Sequence, residues 1–209
     1  LLEHFGISKY PMPMRFKASA QLLCRGVVDL AALHYGIGVS PDEIKGIEWR
    51  QRPPYLLFIE NRASFERYVR EIDDTGVVIY TAGFPPRSWL HAIEVIIAEI
   101  RTEVPVYHWG DRDVGGYRIL AFLAKRLDID IQPYLMGVDA PRPTQDSDEL
   151  KEIPVVGLMQ AIESARGYPA ISALCEELGK CQGVRLPWIE QEQIAPISPL
   201  EKTKAAAEI

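Results

Sequence analysis

The sequence has 209 residues, 47% hydrophobic and 25% charged, a mixture that supplies a core of ordinary size and excludes a disordered, collagen-like or low-complexity chain. Its 23 basic and 29 acidic side chains leave a net charge of -6, so the chain as a whole carries no footprint for a polyanion, and any nucleic-acid contact must be local or metal-mediated. No apolar run approaches the ~20 residues of a membrane span, no signal peptide opens the sequence, and Cys24, Cys175 and Cys181 form no CxxC pair, which together point to a cytoplasmic protein with reduced thiols and no membrane contact.

Because the sequence opens at Leu1 and not at methionine, a further N-terminal portion is expected to precede it. Leu22, Leu23, Val27, Leu30 and Ala31 suggest a first helix, stopped by Gly36 and Gly38. Ser40-Pro41-Asp42-Glu43 suggests the start of a second, with Ser40 as N-cap and Pro41 at the first helical position. From Pro53 onward four short apolar runs follow: YLLFI (55 to 59), VVIY (77 to 80), VPVYHW (104 to 109) and IQPYLM (131 to 136). They begin roughly 22 to 27 residues apart, the rhythm of βα units. Between them Phe65, Tyr68, Val69 and Ile72, then Leu90, Ile93, Ile96, Ile97 and Ile100, then Leu120, Leu123 and Leu127 each mark one apolar helix face. A Pro-containing polar loop from Asp139 to Asp148 leads to helical stretches around Leu158 to Ala165 and Ile171 to Leu178, and the tail EKTKAAAEI is expected to fray.

Apolar strands joined by amphipathic helices imply an α/β fold with a mainly parallel four-stranded sheet, right-handed crossovers, flanking helices, and helical extensions at both ends. The expected division is a helical segment over 1–52, an α/β core over 53–140, a loop and helices over 141–200, and a tail over 201–209.

Ligands of such sheets gather outside the carboxyl ends of the strands, where loops and helix N-termini converge. There the first strand runs into Glu60-Asn61, the second into Thr81-Ala82-Gly83 and the third into Gly110-Asp111-Arg112-Asp113. Glu60, Asp111 and Asp113 thus converge on one edge. Several hard carboxylate oxygens beside a phosphate suit a divalent cation and phosphoryl-transfer chemistry. The competing reading makes Asn61 and Asp113 ordinary N-caps. Glu60 has no such explanation.

Of the four histidines, His4, His34, His91 and His108 show no metal spacing, and His108 within a strand reads as a packed core residue. Trp49, Trp89, Trp109 and Trp188 are candidates for base stacking, with packing the simpler account. Arg62, Arg67, Arg112, Arg118, Lys125 and Arg126 flank the acids as candidate phosphate ligands.

The segments YLLFIENRASF and VYHWGDRDVGGYRIL resemble the Toprim domain, with its Glu after the first strand and Asp-x-Asp after the third. More narrowly, ENxxSF and WGDxDxxGYxIL resemble the C-terminal Toprim domain of the JetD family of Wadjet anti-plasmid nuclease subunits, a family related to the A subunit of topoisomerase VI. The resemblance covers roughly Pro53 to Met136 and extends to RLPWIEQEQI near the end. It implies a Mg²⁺-dependent DNA-cleaving site, with Mn²⁺ able to substitute, in which Glu60, Asp111 and Asp113 are catalytic and hold metal. Glu190 or Glu192 would supply a further ligand. Double-stranded DNA would be the substrate, an SMC-type ATPase defence complex the partner, and self-association as a homodimer a further arrangement. Tyr10, Tyr35 and Tyr55 stand in no motif of a topoisomerase nucleophile, so hydrolysis is expected in place of transesterification; Gly115 stands where the JetD branch usually has a histidine. Two rivals remain: a scaffold or assembly subunit whose acids only cap helices, and a phosphatase or phosphotransferase of the haloacid dehalogenase kind, which would carry its Asp-x-Asp after the first strand.

Overall fold

The computed structural model describes residues 10–102, 104–141, 152–181 and 183–201. Most of the polar loop expected up to Asp148, and all but the first residue of the expected tail, lie outside them. Among the described residues eleven strands and five α-helices follow in chain order: β1 (Met14–Lys17), β2 (Ala20–Leu23), β3 (Val27–Asp29), β4 (Ile37–Val39), β5 (Gly46–Trp49), β6 (Leu56–Ile59), α1 (Arg62–Glu71), β7 (Val77–Tyr80), α2 (Arg87–Ile97), β8 (Val106–Trp109), α3 (Val114–Leu127), β9 (Gln132–Pro133), β10 (Glu152–Pro154), α4 (Val155–Ile162), α5 (Pro169–Lys180) and β11 (Arg185–Pro187).

The main sheet runs in the order β4-β1-β7-β6-β8-β9. The last four of these strands are mutually parallel, as the βα rhythm predicts, and β6 at the centre is buried along its whole length. Strand alternation divides the core between two faces. Leu56, Phe58, Val77, Ile79 and Val106 pack with α2, α3, α4 and α5, whereas Leu57, Ile59, Val78 and Trp109 pack with Phe65, Tyr68 and Val69 of α1 and with Ile189 and Ile194. Each large apolar side chain buried in this way contributes ~1.5–3 kcal/mol.

The sheet differs from the expected one at both edges. It has six strands, because β1 pairs antiparallel with β7 and β4 antiparallel with β1. The two helices expected over the first 50 residues are replaced by β1 to β5 and two single 3-10 turns, Leu30–Ala32 and Pro41–Glu43. β2, β3 and β5 form a separate antiparallel sheet. The physical reason is period-two burial: Met14 and Phe16 of β1, and Ala20 and Leu22 of β2, point into the core while the residues between them are half-exposed. Ser40 does precede a turn with Pro41 at its first position, yet its side chain makes no capping bond. The fourth parallel strand is also shorter than its apolar run. Pro133 lacks an N–H for the ladder, and Leu135 turns the chain with φ of 56°.

The C-terminal helical stretches are present as α4 and α5, and residues 185–194 return across the carboxyl edge of the main sheet, where Arg112 and Ile189 form a β-bridge. All three cysteines are free thiols. No helix among the described residues is long and apolar enough to cross a membrane.

Candidate acidic site at the carboxyl edge of the sheet

The register of β6 against β8 sets Ile59 opposite Trp109, so Glu60 lies abreast of Gly110 as both strands leave the sheet. Any larger residue at Gly110 would have to displace the side chains beside it. A Cβ on it would stand 2.6 Å from Glu60 Oε2 and 2.8 Å from His108 Nε2. Asp111 follows directly, and Asp113 caps α3, its Oδ1 accepting the Gly116 N–H at 2.7 Å. Asn61 caps α1 through bonds from the Ala63 and Ser64 N–H groups. Both N-caps read from the sequence therefore form, and Asp113 does structural work whatever else it does.

Glu60, Asn61, Arg62, Tyr80, Asp111 and Glu192 line an open cleft of about 630 Å³. On its far wall Ala82 and Gly83 both adopt left-handed backbone, φ 55° and 77°. For Ala82 that conformation is strained. Thr81, fully buried, ties this loop to β6 through its N–H and its hydroxyl, both donating to the Ile59 carbonyl.

The electrostatics of the cleft are unbalanced. Burial pushes the Glu60 carboxyl up to about 7, the negative charge of Asp111 adds to the rise, the Asp111 N–H opposes it, and Asp113 contributes a smaller rise. Asp111 is also raised, first by burial, against which the Gln191 N–H bond works, and then by the negative charges of Asp113, Glu192 and Glu190. Glu60 Oε2 is buried without a hydrogen-bond partner. His108 is fully buried, its ring nitrogens making no well-formed side-chain hydrogen bond, and burial holds its pKa down at about 3 against a smaller opposing contribution from the Gly116 backbone, so the imidazole is neutral. The core reading of His108 holds.

The C-terminal return completes the site with a residue the sequence did not single out. Gln191 is 1% exposed and makes three contacts: its N–H donates to Asp111 Oδ1 at 2.7 Å, its Nε2 donates to the Trp109 carbonyl at 2.8 Å, and its Oε1 accepts the Asn61 N–H at 2.7 Å. One side chain thus pins together the ends of β6 and β8. Glu192 Oε1 accepts from Asn61 Nδ2 and faces the cleft; Glu190 starts the 3-10 turn Gln191–Gln193 and contributes to Asp111 only through its charge. The signal for Gln191 was its place in the acidic, glutamine-containing stretch, but only the return path shows what it touches.

Arg112, a candidate phosphate ligand by sequence, is 4% exposed and spends its guanidinium on the carbonyls of Pro187 and Gly137. Its alternation away from the acids buries it under the return segment. Trp89 and Trp109 are likewise buried, with Trp89 Nε1 donating to the Met12 carbonyl, so neither is a base-stacking surface.

Glu60, Asp111 and Asp113 supply the hard oxygens that Mg²⁺ or Mn²⁺ prefers. Among the described residues no three His, Cys, Asp or Glu side chains form a ready-made cage as they stand. Mg²⁺ does not demand one, since it keeps several waters and is commonly held by one or two carboxylates together with substrate phosphate. The unpaired Glu60 Oε2 and the repulsion among the acids are what a bound cation would relieve.

A family model described as Wadjet protein JetD, C-terminal, matches residues 25–201. The Wadjet protein JetD of Bacillus cereus (strain Q1) is 27% identical over 140 residues, covering 66% of this chain and 34% of that protein, so the match spans about a third of the curated relative. The family match takes in the acids, the cleft and the return segment together, and this chain belongs to the family of JetD C-terminal domains.

Proposed function

We propose that this domain is the nuclease part of a Wadjet-type plasmid-defence system, hydrolysing phosphodiesters of double-stranded DNA with Mg²⁺, for which Mn²⁺ substitutes, in a Toprim-like arrangement. The observation that carries the reading is the meeting of Glu60, Asp111 and Asp113 at the ends of two adjacent parallel strands, with Glu60 Oε2 buried, unpaired and raised in pKa. Structural capping explains Asp113 but leaves that atom unexplained.

In this reading Asp111 and Asp113 hold the cation, with Glu60 beside them. The bound ion would neutralise charge on the phosphate and acidify an attacking water. Glu60, close to half-ionised near neutral pH, takes up or gives back a proton at the reacting water or leaving oxygen. Gln191 fixes Asp111 through its N–H, and Arg62 on the rim offers a guanidinium to a neighbouring phosphate oxygen. The net charge of -6 gives no long-range attraction to DNA, so contact with it is local and delivery falls to an SMC-type ATPase assembly or to self-association.

The test is Mn²⁺ titration by calorimetry on the wild type and on an Asp111→Asn, Asp113→Asn double variant, followed by plasmid cleavage. Asparagine keeps both capping oxygens, so the fold should survive. Saturable binding and cleavage that the variant loses are expected. Absence of metal binding in the wild type up to millimolar concentration, or equal binding by both, would sink the nuclease reading. The scaffold reading would then be preferred, since Asp111 and Asp113 each already accept a backbone hydrogen bond.

A further inference from the structure

Beside the acidic cleft lies a second groove of about 520 Å³, lined by Arg15, Arg62, Glu66, Arg67, Arg70 and Glu71. Arg62 and Glu66 line both, so the two adjoin across the N-terminal turns of α1. We propose that this groove is a track for the sugar-phosphate backbone of duplex DNA leading to the acids, an inference that rests on the nuclease reading and names how its substrate is held.

Charge is the first argument. In a chain with net charge -6 the groove gathers four guanidiniums against two carboxylates. Glu66 is shared, taking Arg15 at 2.8 Å and Arg70 through its other oxygen, while Arg67 pairs with Glu71 at 2.8 and 3.1 Å. Arg62 has no carboxylate partner among the described residues and stands where the groove meets the acids. The internal pairs leave a surplus of positive charge and, with five N–H donors on each guanidinium, spare donors as well.

Pre-organisation is the second. Arg15 lies over the Phe65 ring at 5.9 Å and Arg70 over the Tyr35 ring at 4.9 Å, which orients both guanidinium planes before any ligand arrives. Arg15 Nε is buried without a hydrogen-bond partner, so the guanidinium is held by its stack and its ion pair, with its outer N–H groups toward the groove. Planar, fixed donors in a row suit phosphate oxygens. A phosphodiester chain, unlike an acidic protein surface, also has a reason to continue into a cleft of carboxylates, because its scissile phosphate is what they would act on.

The experiment measures binding of a short labelled duplex to the 209-residue chain by anisotropy in Ca²⁺, which holds cleavage off, while salt is raised from about 50 to about 200 mM. The Arg62→Gln, Arg70→Gln double variant is expected to weaken binding and to reduce the slope of log affinity against log salt by about one per arginine. Arg62→Lys, Arg70→Lys should restore the slope, since a phosphate contact needs the charge. Arg101→Gln, Arg166→Gln, both exposed and outside the cleft and the groove, should leave it unchanged. Thermal unfolding of each variant checks that the fold is intact, and Mn²⁺ binding, measured separately, reports on the acids. An unaltered slope in the first variant would overturn the track, with an acidic protein partner then the better occupant. So would absence of wild-type binding at the lowest salt. Absence of Mn²⁺ binding by the wild type with the slope behaving as expected would instead remove the nuclease reading and leave the track.

Discussion

The two ends of the parallel strands bury polar groups in opposite ways. At the amino end Asp74 is saturated: the Tyr55 hydroxyl lies 2.7 and 2.8 Å from its two oxygens, Ser198 Oγ donates to it at 2.6 Å, and the Gly76 N–H donates at 3.0 Å. The Tyr68 hydroxyl adds a contact of 2.8 Å to Tyr55, and burial lifts both phenols above the ordinary tyrosine range, reinforced at Tyr55 by Tyr68 and Asp74 and partly opposed at Tyr68 by its bonds with Tyr55 and Ser198. At the carboxyl end Glu60 Oε2 has no hydrogen-bond partner, and the ring nitrogens of His108 make no well-formed side-chain hydrogen bond. A satisfied network locks the C-terminal segment to the sheet, whereas an unsatisfied one stores a demand for a ligand. Stability and proposed chemistry are thus separated along the length of the same strands.

The contrast can be broken most severely at the acids. Asp111→Asn should lower DNA cleavage by on the order of 100-fold or more, the scale on which a charge-stabilising group acts, while leaving urea unfolding close to wild type because its Oδ1 still accepts the Gln191 N–H. Conversely, Tyr55→Phe should cost about 1–3 kcal/mol in urea unfolding by stripping a buried donor from Asp74, with Mn²⁺ binding untouched. A variant that lost metal binding instead would show that the two ends are coupled.

A smaller effect comes from pH. Folded Glu60 holds its proton up to about 7 against an ordinary value of 4.5, so between those values the folded state binds more protons than the unfolded one. The stability this group contributes is therefore complete below about pH 4.5 and is lost as pH rises through about 7. Glu60→Gln should flatten that fall and stabilise the protein at pH 8 by about 1–2 kcal/mol, after discounting for solvent screening; thermal unfolding from pH 4 to 8 would read it. Least of all should be His108→Leu. The imidazole has a single backbone contact, with Gly116, to lose, so the replacement should cost about 1 kcal/mol, and a much larger loss of thermal stability would reveal a further partner for one of its nitrogens.

Local chemistry made much of this legible. The runs at 55 to 59 and 77 to 80 became β6 and β7 almost residue for residue, and Asn61 and Asp113 became the caps of α1 and α3, because side chain and backbone lie within three residues of each other. The N-terminal strands were harder. Leu22, Leu23, Val27, Leu30 and Ala31 fit a helical spacing, but the decisive signal was the alternation of Met14-Arg15-Phe16-Lys17, four residues whose strand character depends on finding β7 and β4 as partners. The basic residues divide in the same way. Arg112 sits between the two aspartates in sequence yet is withdrawn by carbonyls of Pro187 and Gly137, while Arg15, from an unrelated part of the chain, joins the α1 arginines.

By itself the sequence determined the periodic elements from Pro53 onward, their mainly parallel pairing and the strand ends that carry the acids, since burial period, turn chemistry and capping act over a few neighbouring residues. Only the tertiary structure decided that Gln191 clamps Asn61, Trp109 and Asp111, that Glu60 Oε2 is left unpaired, and which arginines share a groove. Those outcomes depend on segments as far apart as Asn61 and Gln191 meeting at one sheet edge, and whether a buried atom is satisfied there depends on every element that packs around it.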